Sequence, residues 1–276
     1  MATEAFAPAK INLTLHVTAQ RPDGYHMLDS LVVFADVGDR LWLDPAPQMA
    51  ISVTGPFADG VPADGRNLVW QAAQAAGWTG RIGLEKNLPH GAGLGGGSAD
   101  AAAVLRHLGC DDPELAEALG ADVPMCQSAV AKRVQGIGEI MTPLPDTPAL
   151  DLVLINPGAH LPTPSVFAAL VQKFNDPMPG CGPWPDRAAL VAWLGAQRND
   201  LTAPALSLAP QVGTALEALS DAQVARMSGS GATCFGVYAD AGRAQAAAAR
   251  IRADHPDWWV MPTRSIGADQ VTRATT

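Results

Sequence analysis

Within "LPHGAGLGGGSADAAAVLRHLG", Leu88 to Gly109, the glycines Gly91, Gly93, Gly95, Gly96 and Gly97 run directly into an alanine- and leucine-rich segment. Glycines let a backbone approach an anion closely, and successive amides can converge on it. The helix predicted over Ser98–Leu108 would add free N–H groups and the positive end of its dipole at the same point. Ser98 could add a hydroxyl to a phosphate or to its magnesium. Asp100 favours the helix from its first turn but would repel a phosphate, so it must point away. Two other readings compete. Flexible linkers are usually polar on both sides, which this one is not. Gly91, Gly93 and Gly96 also satisfy GxGxxG, but that fingerprint needs a strand running into it and an acidic residue closing a second strand. Pro89 interrupts the approach, and "CDDPELAEALGADVP" reads as helix and loop. The Walker loop, which ends in GK[ST], does not match. A phosphate cradle is the reading that fits.

The elements needed to hold such a cradle are visible on both sides of it. "INLTLHVT", Ile11–Thr18, alternates as a half-buried strand, and "RPDGYH" is a turn. "SLVVFADVGDRLWLDP" predicts two strands broken near Gly38–Asp39, followed by strands in "AISVTG" and "RIGLEKN" and a helix over Asn67–Gly77 between them. Downstream, "PELAEALG", "TPSVFAALVQKF", "RAALVAWLGA", "VGTALEALS" and "AGRAQAAAARIRADH" predict helices. "ALDLVLINPG", "ARMSGSGATCFGVYAD" and "WWVMPTRSIG" predict strands with their turns. Residues 175–186, rich in proline and glycine, predict an irregular loop, and the tail from Ala268 a frayed end. The alternation is that of a mixed α/β protein. Two domains are expected, 1–150 and 151–276.

Composition excludes several classes. A formal charge of −9 argues against a nucleic-acid binder, without excluding small anions held by backbone amides. Cys110, Cys126, Cys181 and Cys234 lack zinc-site spacing and read as buried thiols. The opening "MATEAFAPAK" has no secretory pattern, and no apolar run is long enough to span a membrane. A soluble cytoplasmic protein is expected, without membrane or nucleic-acid partners, as a monomer or weak homodimer.

Three segments in order resemble the motifs of the GHMP kinase superfamily: "PAKINLTLHV" (Pro8–Val17), "PHGAGLGGGSADAA" and "MSGSGATCFGVY" (Met227–Tyr238). Further stretches, "RPDGYHMLDSL", "GADVPMC", "GIGE", "NPGAHLPTPSVF" and "RNDL", are similar to the branch that phosphorylates a cytidylylated methylerythritol; "MCQSAVAKRVQ" is more polar than that pattern. The resemblance implies a two-domain fold, with an N-terminal domain like ribosomal protein S5 domain 2, a ferredoxin-like C-terminal domain, and the active site in the cleft between them. It implies an ATP- and magnesium-dependent kinase for a small alcohol. Asp122 resembles the catalytic aspartate and Lys10 its partner. Pro89, Gly91, Gly93, Leu94, Gly95, Gly96, Gly97 and Ser98 would hold the ATP phosphates, and Asn67 would lie near the adenosine. Asn12 and, more weakly, Thr163 would contact substrate. His26 would read the cytosine edge, with Tyr25 and Phe167 stacked on its two faces. Ser228–Gly231 would shape the floor. No carboxylate cluster marks a dedicated metal cage, with Ser98 a possible ligand. Two alternatives stay open: a kinase of this superfamily for another alcohol, such as mevalonate or homoserine, and a nucleotide-binding module without catalysis.

Overall fold

A computed structural model describes residues 3–266; the end expected to fray from Ala268 lies outside the described residues. Its spine is one long strand. β3 (His26–Pro45) carries β1 (Thr3–Asn12) and β2 (His16–Gln20) antiparallel along one edge. Along its other edge lie β5 (Gly80–Glu85), β6 (Lys132–Gly136) and a short pairing with β11 (Trp259–Ile266). β4 (Ala50–Thr54) pairs parallel with β5, and β7 (Ile140–Pro143) antiparallel with β6. β11 continues the array into β8 (Asp151–Asn156), β10 (Cys234–Tyr238) and β9 (Val224–Met227). The expected division near residue 150 falls in the chain between β7 and β8, while β11 pairs with strands from both halves.

β3 passes through Gly38–Asp39, where a break was expected. Gly38 faces Pro8 so closely that a Cβ would lie 2.1 Å from the Ala7 carbonyl oxygen, and only hydrogen fits there. Asp39 is fully buried, with its carboxylate taken by Lys86 and by the Asn87 and Leu88 amides. Tertiary contacts absorb two residues that locally favour a turn. The opposite happens in "INLTLHVT", expected as one strand. β1 ends at Asn12 and β2 begins at His16, because Leu15 leaves the ladder to bond Arg198 and Asp200.

The helices cover the faces. α1 (Leu68–Ala75) and α2 (Gly96–His107) bury alanines and leucines against the first sheet, with α3 (Pro113–Leu119) and α4 (Val123–Gln127) at their ends. α5 (Thr163–Ala168), α7 (Thr202–Leu208), α8 (Gln211–Ala218) and α9 (Ala241–Asp254) enclose a second core with β8 and β10. α6 (Arg187–Gly195) packs Leu190 and Leu194 into a third cluster that contains Ile11 of β1 and Phe235 of β10. Among the expected helices, "TPSVFAALVQKF" is cut short: α5 stops at Ala168 and the chain runs on without regular structure to Trp184. Side chains pull it off the helical path. Lys173 bonds Gln20, Asn175 bonds the Val17 carbonyl, and the Met178 amide donates to buried Asp29.

Candidate active site

The glycine loop enters α2 through Gly95, the N-cap, in the left-handed conformation at φ 66°. No side chain caps this helix. Its first-turn amides are therefore free of an internal acceptor, the condition for receiving an anion. The loop is held by its neighbours. Lys10 donates its amide to the Leu94 carbonyl at 2.9 Å, and Thr233 does the same for Ala92 at 3.2 Å. A cleft of about 400 Å³ opens over it, bounded by every residue from Pro89 to Ser98 and by Lys10, Asn12, Asp122, Gly229 and Ser230.

Asp100 points away from this cleft. It is buried and bonded to Lys86 at 2.6 Å, and Lys86 also bonds Asp39. Two carboxyl groups thus share one ammonium in a dry site. Burial, and then the charge of Asp39, push the Asp100 carboxyl up to about 8. Burial opposes the charge of Lys86, but Asp100 and Asp39 outweigh it and raise its pKa.

Lys10 Nζ lies 3.2 Å from Asp122 Oδ2, the ammonium nearly buried and the carboxylate 44% exposed. Asp122 precedes α4 yet makes no capping bond, so its carboxylate remains turned to the cleft. α4 is fastened from behind by Arg106, which bonds the Cys126 carbonyl, and by Lys132, which bonds those of Met125 and Ser128. Asn12 donates to Ser30 at 2.8 Å, while its Oδ1 is buried without a partner among the described residues. A buried acceptor left open at a cleft wall is a place for a ligand donor.

A second cavity, of about 640 Å³, adjoins the first and shares Leu28, Asp122, Ile137, Thr163 and Phe167 with it. Tyr25, 61% exposed, stands at its mouth with His26 and Lys173. The expected sandwich has Phe167 and Tyr25 on opposite faces of a base and His26 at its edge. Here the His26 ring itself stacks on Phe167, centroids 4.9 Å apart and planes 26° off parallel, so one face of Phe167 is covered. His26 Nε2 is buried and has no partner among the described residues. Burial, and then nearby Lys173, lower the His26 pKa and keep the ring neutral. Thr163 Oγ1 lies 2.7 Å from Ser230 Oγ, which ties α5 to the third glycine segment.

Asn67, expected near the adenosine, spends its side chain within its own segment. Its Oδ1 caps α1 through the Val69 amide and its Nδ2 bonds the Pro62 carbonyl, so both ends of the amide are occupied. Its neighbour Leu68 is the residue that lines the cleft. Lys86, Ser30, Lys173 and Asn199 are the residues that sequence reasoning missed. Lys86 carried a signal, since Lys10 and Lys86 are the two lysines of the first hundred residues. Asn199 lies in the "RNDL" segment and bonds the carbonyls of Met227 and Gly229 at 2.7 and 2.8 Å. Among the described residues no group of three or more His, Cys, Asp or Glu could cage a metal.

Residues 67–127 match the N-terminal domain of the GHMP kinases, and residues 184–257 match the C-terminal one. A 4-diphosphocytidyl-2-C-methyl-D-erythritol kinase of Paracoccus denitrificans is 56% identical over 92% of this chain and 93% of its own. One from Cereibacter sphaeroides is 54% identical over 96% of this chain and all of its own. The crystal structure of a 4-(cytidine 5'-diphospho)-2C-methyl-D-erythritol kinase superposes with a TM-score of 0.77 at 34% identity, covering 96% of this chain and 100% of that one. Homoserine kinase from Cytophaga hutchinsonii shares the fold, with a TM-score of 0.67 at 18% identity over 96% of this chain and 95% of its own. This chain belongs to the 4-diphosphocytidyl-2-C-methyl-D-erythritol kinases, a family of the GHMP kinases.

Proposed function

We propose that this kinase transfers the γ-phosphoryl group of ATP to the 2-hydroxyl of 4-diphosphocytidyl-2-C-methyl-D-erythritol, giving the 2-phosphate and ADP for isoprenoid precursor synthesis in the cytoplasm. The observation that carries the reading is the position of Asp122. It lines both cavities at once and is paired with Lys10 where they meet. One cavity has the glycine loop and an uncapped helix end, suited to a triphosphate. The other has aromatic rings and a neutral histidine, suited to a pyrimidine.

Phosphoryl transfer between such ligands rests on positioning and on charge stabilisation. The Asp122 carboxylate accepts the proton of the 2-hydroxyl as its oxygen bonds to the γ-phosphorus and the bond to the β-phosphate oxygen breaks. Lys10 holds Asp122 in place through their ion pair and offsets negative charge on the transferring group. The amides of Gly93–Ser98 hold the phosphates, and Asn12 Oδ1 accepts a donor from the acceptor alcohol. His26 reads the base edge beside Tyr25 and Phe167, and Thr163 adds a weaker contact. In this reading residues 1–150 contribute the ATP side and the base-reading turn, and residues 151–276 close the cleft through Thr163, Phe167 and the third glycine segment.

The donors fit magnesium only as an ion carried by the nucleotide. One carboxylate, Asp122, lines the cleft, with the hydroxyls of Ser30, Ser98, Thr163 and Ser230, so phosphates and water would supply most ligands. Bound there, the ion would neutralise charge on the β- and γ-phosphates.

The test is incubation of purified protein with ATP–magnesium and a panel of alcohols, following ADP. Release should be selective for the cytidylylated methylerythritol. Equal or faster turnover of mevalonate or homoserine would overturn the assignment.

A further inference from the structure

We propose that Lys173 selects the acceptor by its diphosphate; the inference rests on the reading of the second cavity as the nucleotide end of the acceptor. Lys173 is the one lysine or arginine among the described residues lining that cavity. Its ammonium is held at 3.0 Å by Gln20, an uncharged partner. It lies near enough to His26 to lower that ring's pKa, which puts it beside the base-reading group rather than out in solvent.

The charges around the cavity make this position distinctive. Lys10 is paired with Asp122, Lys86 with Asp39 and Asp100, Arg133 with Asp29, and Arg21 with Asp23. Each of those cations already has a carboxylate. Lys173 has an amide oxygen, so its charge is left for a ligand. A diphosphate entering here meets Asp23 and Asp122 on the cavity wall, whose charges Arg21 and Lys10 already match, so Lys173 is the cation left to bind it.

The path of the chain supports the assignment. If α5 had continued to Phe174 as its sequence predicts, Lys173 would ride on that helix. Instead the segment is stretched across toward β2 and pinned on both sides of the lysine. Leu170 is buried before it, and after it Asn175 bonds the Val17 carbonyl. Val171 and Phe174, its neighbours, are left 93% and 66% exposed. Apolar side chains are given up to water along a stretch whose fixed points bring Lys173 to Gln20.

Titration of the full chain with cytidine, CMP and CDP tests this, with a non-hydrolysable ATP analogue filling the first cleft. Wild type should bind CDP more tightly than cytidine, and the difference should shrink with added salt. Lys173→Met should weaken CDP about tenfold, the scale of a hydrogen bond between charged groups, and leave cytidine unchanged. Lys173→Arg should recover most of the loss, and Gln20→Ala should show a smaller loss of the same kind. In turnover, Lys173→Met should raise KM for the acceptor and not for ATP. An equal loss for cytidine and CDP would overturn the proposal in favour of a structural role for the segment. No loss at all would overturn it by placing the diphosphate elsewhere. A wild type that binds neither cytidine nor CDP would instead overturn the reading of the cavity, and this inference with it.

Discussion

Gly93 and Ser228 meet so closely that a Cβ on Gly93 would lie 2.4 Å from the Ser228 carbonyl oxygen. Ser228 in turn donates its hydroxyl to the Gly93 carbonyl and accepts from the Asn12 amide, both at 3.1 Å. Three segments distant in sequence therefore form one piece: the lysine strand, the phosphate loop and the third glycine segment. Moving any one of them moves the floor on which the triphosphate would rest.

Gly93→Ala tests that contact. The residue has φ 73°, a conformation costing a side chain about 1 kcal/mol or more, and its close neighbour is backbone that cannot rotate aside. The loop must shift. Binding of an ATP analogue should weaken by more than about tenfold, while CDP binding at the second cavity should hold within experimental error. Each is read by calorimetric titration. Unchanged ATP affinity would show that the loop tolerates displacement.

Lys10 and Asp122 should behave as a unit. Asp122→Asn keeps the shape and removes the proton acceptor, so kcat should fall by about 10²–10⁴ with both ligands still bound. Lys10→Met should lower kcat on a similar scale by exposing the phosphoryl charge. The double variant should be little worse than the worse single one, because each loss already disables the other partner. Additive losses in rapid-quench turnover would mean the two act separately.

The part of this protein legible in sequence is the part governed by local chemistry. The phosphate loop, the alanine helix behind it and the tight turn before Tyr25 follow from residue types that have few other uses. Lys10 and Asp122 were found by motif resemblance, since a lone lysine and a loop aspartate carry no signal of their own. What escaped was decided at long range. Gly38 and Asp39 look like a turn until Ala7 and Lys86 are placed against them. "MCQSAVAKRVQ" looked too polar, yet Lys132 lies buried there to cap α4, which its neighbours in sequence do not announce. Asn67, expected as a nucleotide contact, has the bonds of a helix cap. α5 ends early because its continuation has better partners across the cleft than along its own axis.

Asn199 makes a further prediction about the third glycine segment. It is buried, donates to Met227 and Gly229, and accepts from the Leu201 amide. Asn199→Ala leaves those groups without partners, at a cost of about 1–3 kcal/mol. Urea unfolding should show the loss. ATP affinity should fall with it, because Gly229 lines the cleft. A variant as stable as wild type would mean that water replaces the amide.

The buried pair behind the phosphate helix gives the protein a dependence on pH. Asp39 is fully supplied, with Lys86 and two backbone amides as donors. Asp100 has Lys86 on one oxygen and nothing on the other among the described residues, so it is the member that holds a proton. Its carboxyl stands at about 8 against an ordinary 3.8. Between those values the folded chain binds a proton that the unfolded chain has released, and stability must fall as pH rises through that window. The steepest slope one group can give is about 1.4 kcal/mol per pH unit. Asp100→Asn keeps a polar group of the same shape and removes the titration. Urea unfolding from pH 5 to 9 should show wild-type stability declining toward pH 8 relative to the variant, with the two curves running parallel above it. Curves parallel throughout would mean that Asp100 is ionised at neutral pH, with Lys86 as the shared cation of both carboxylates.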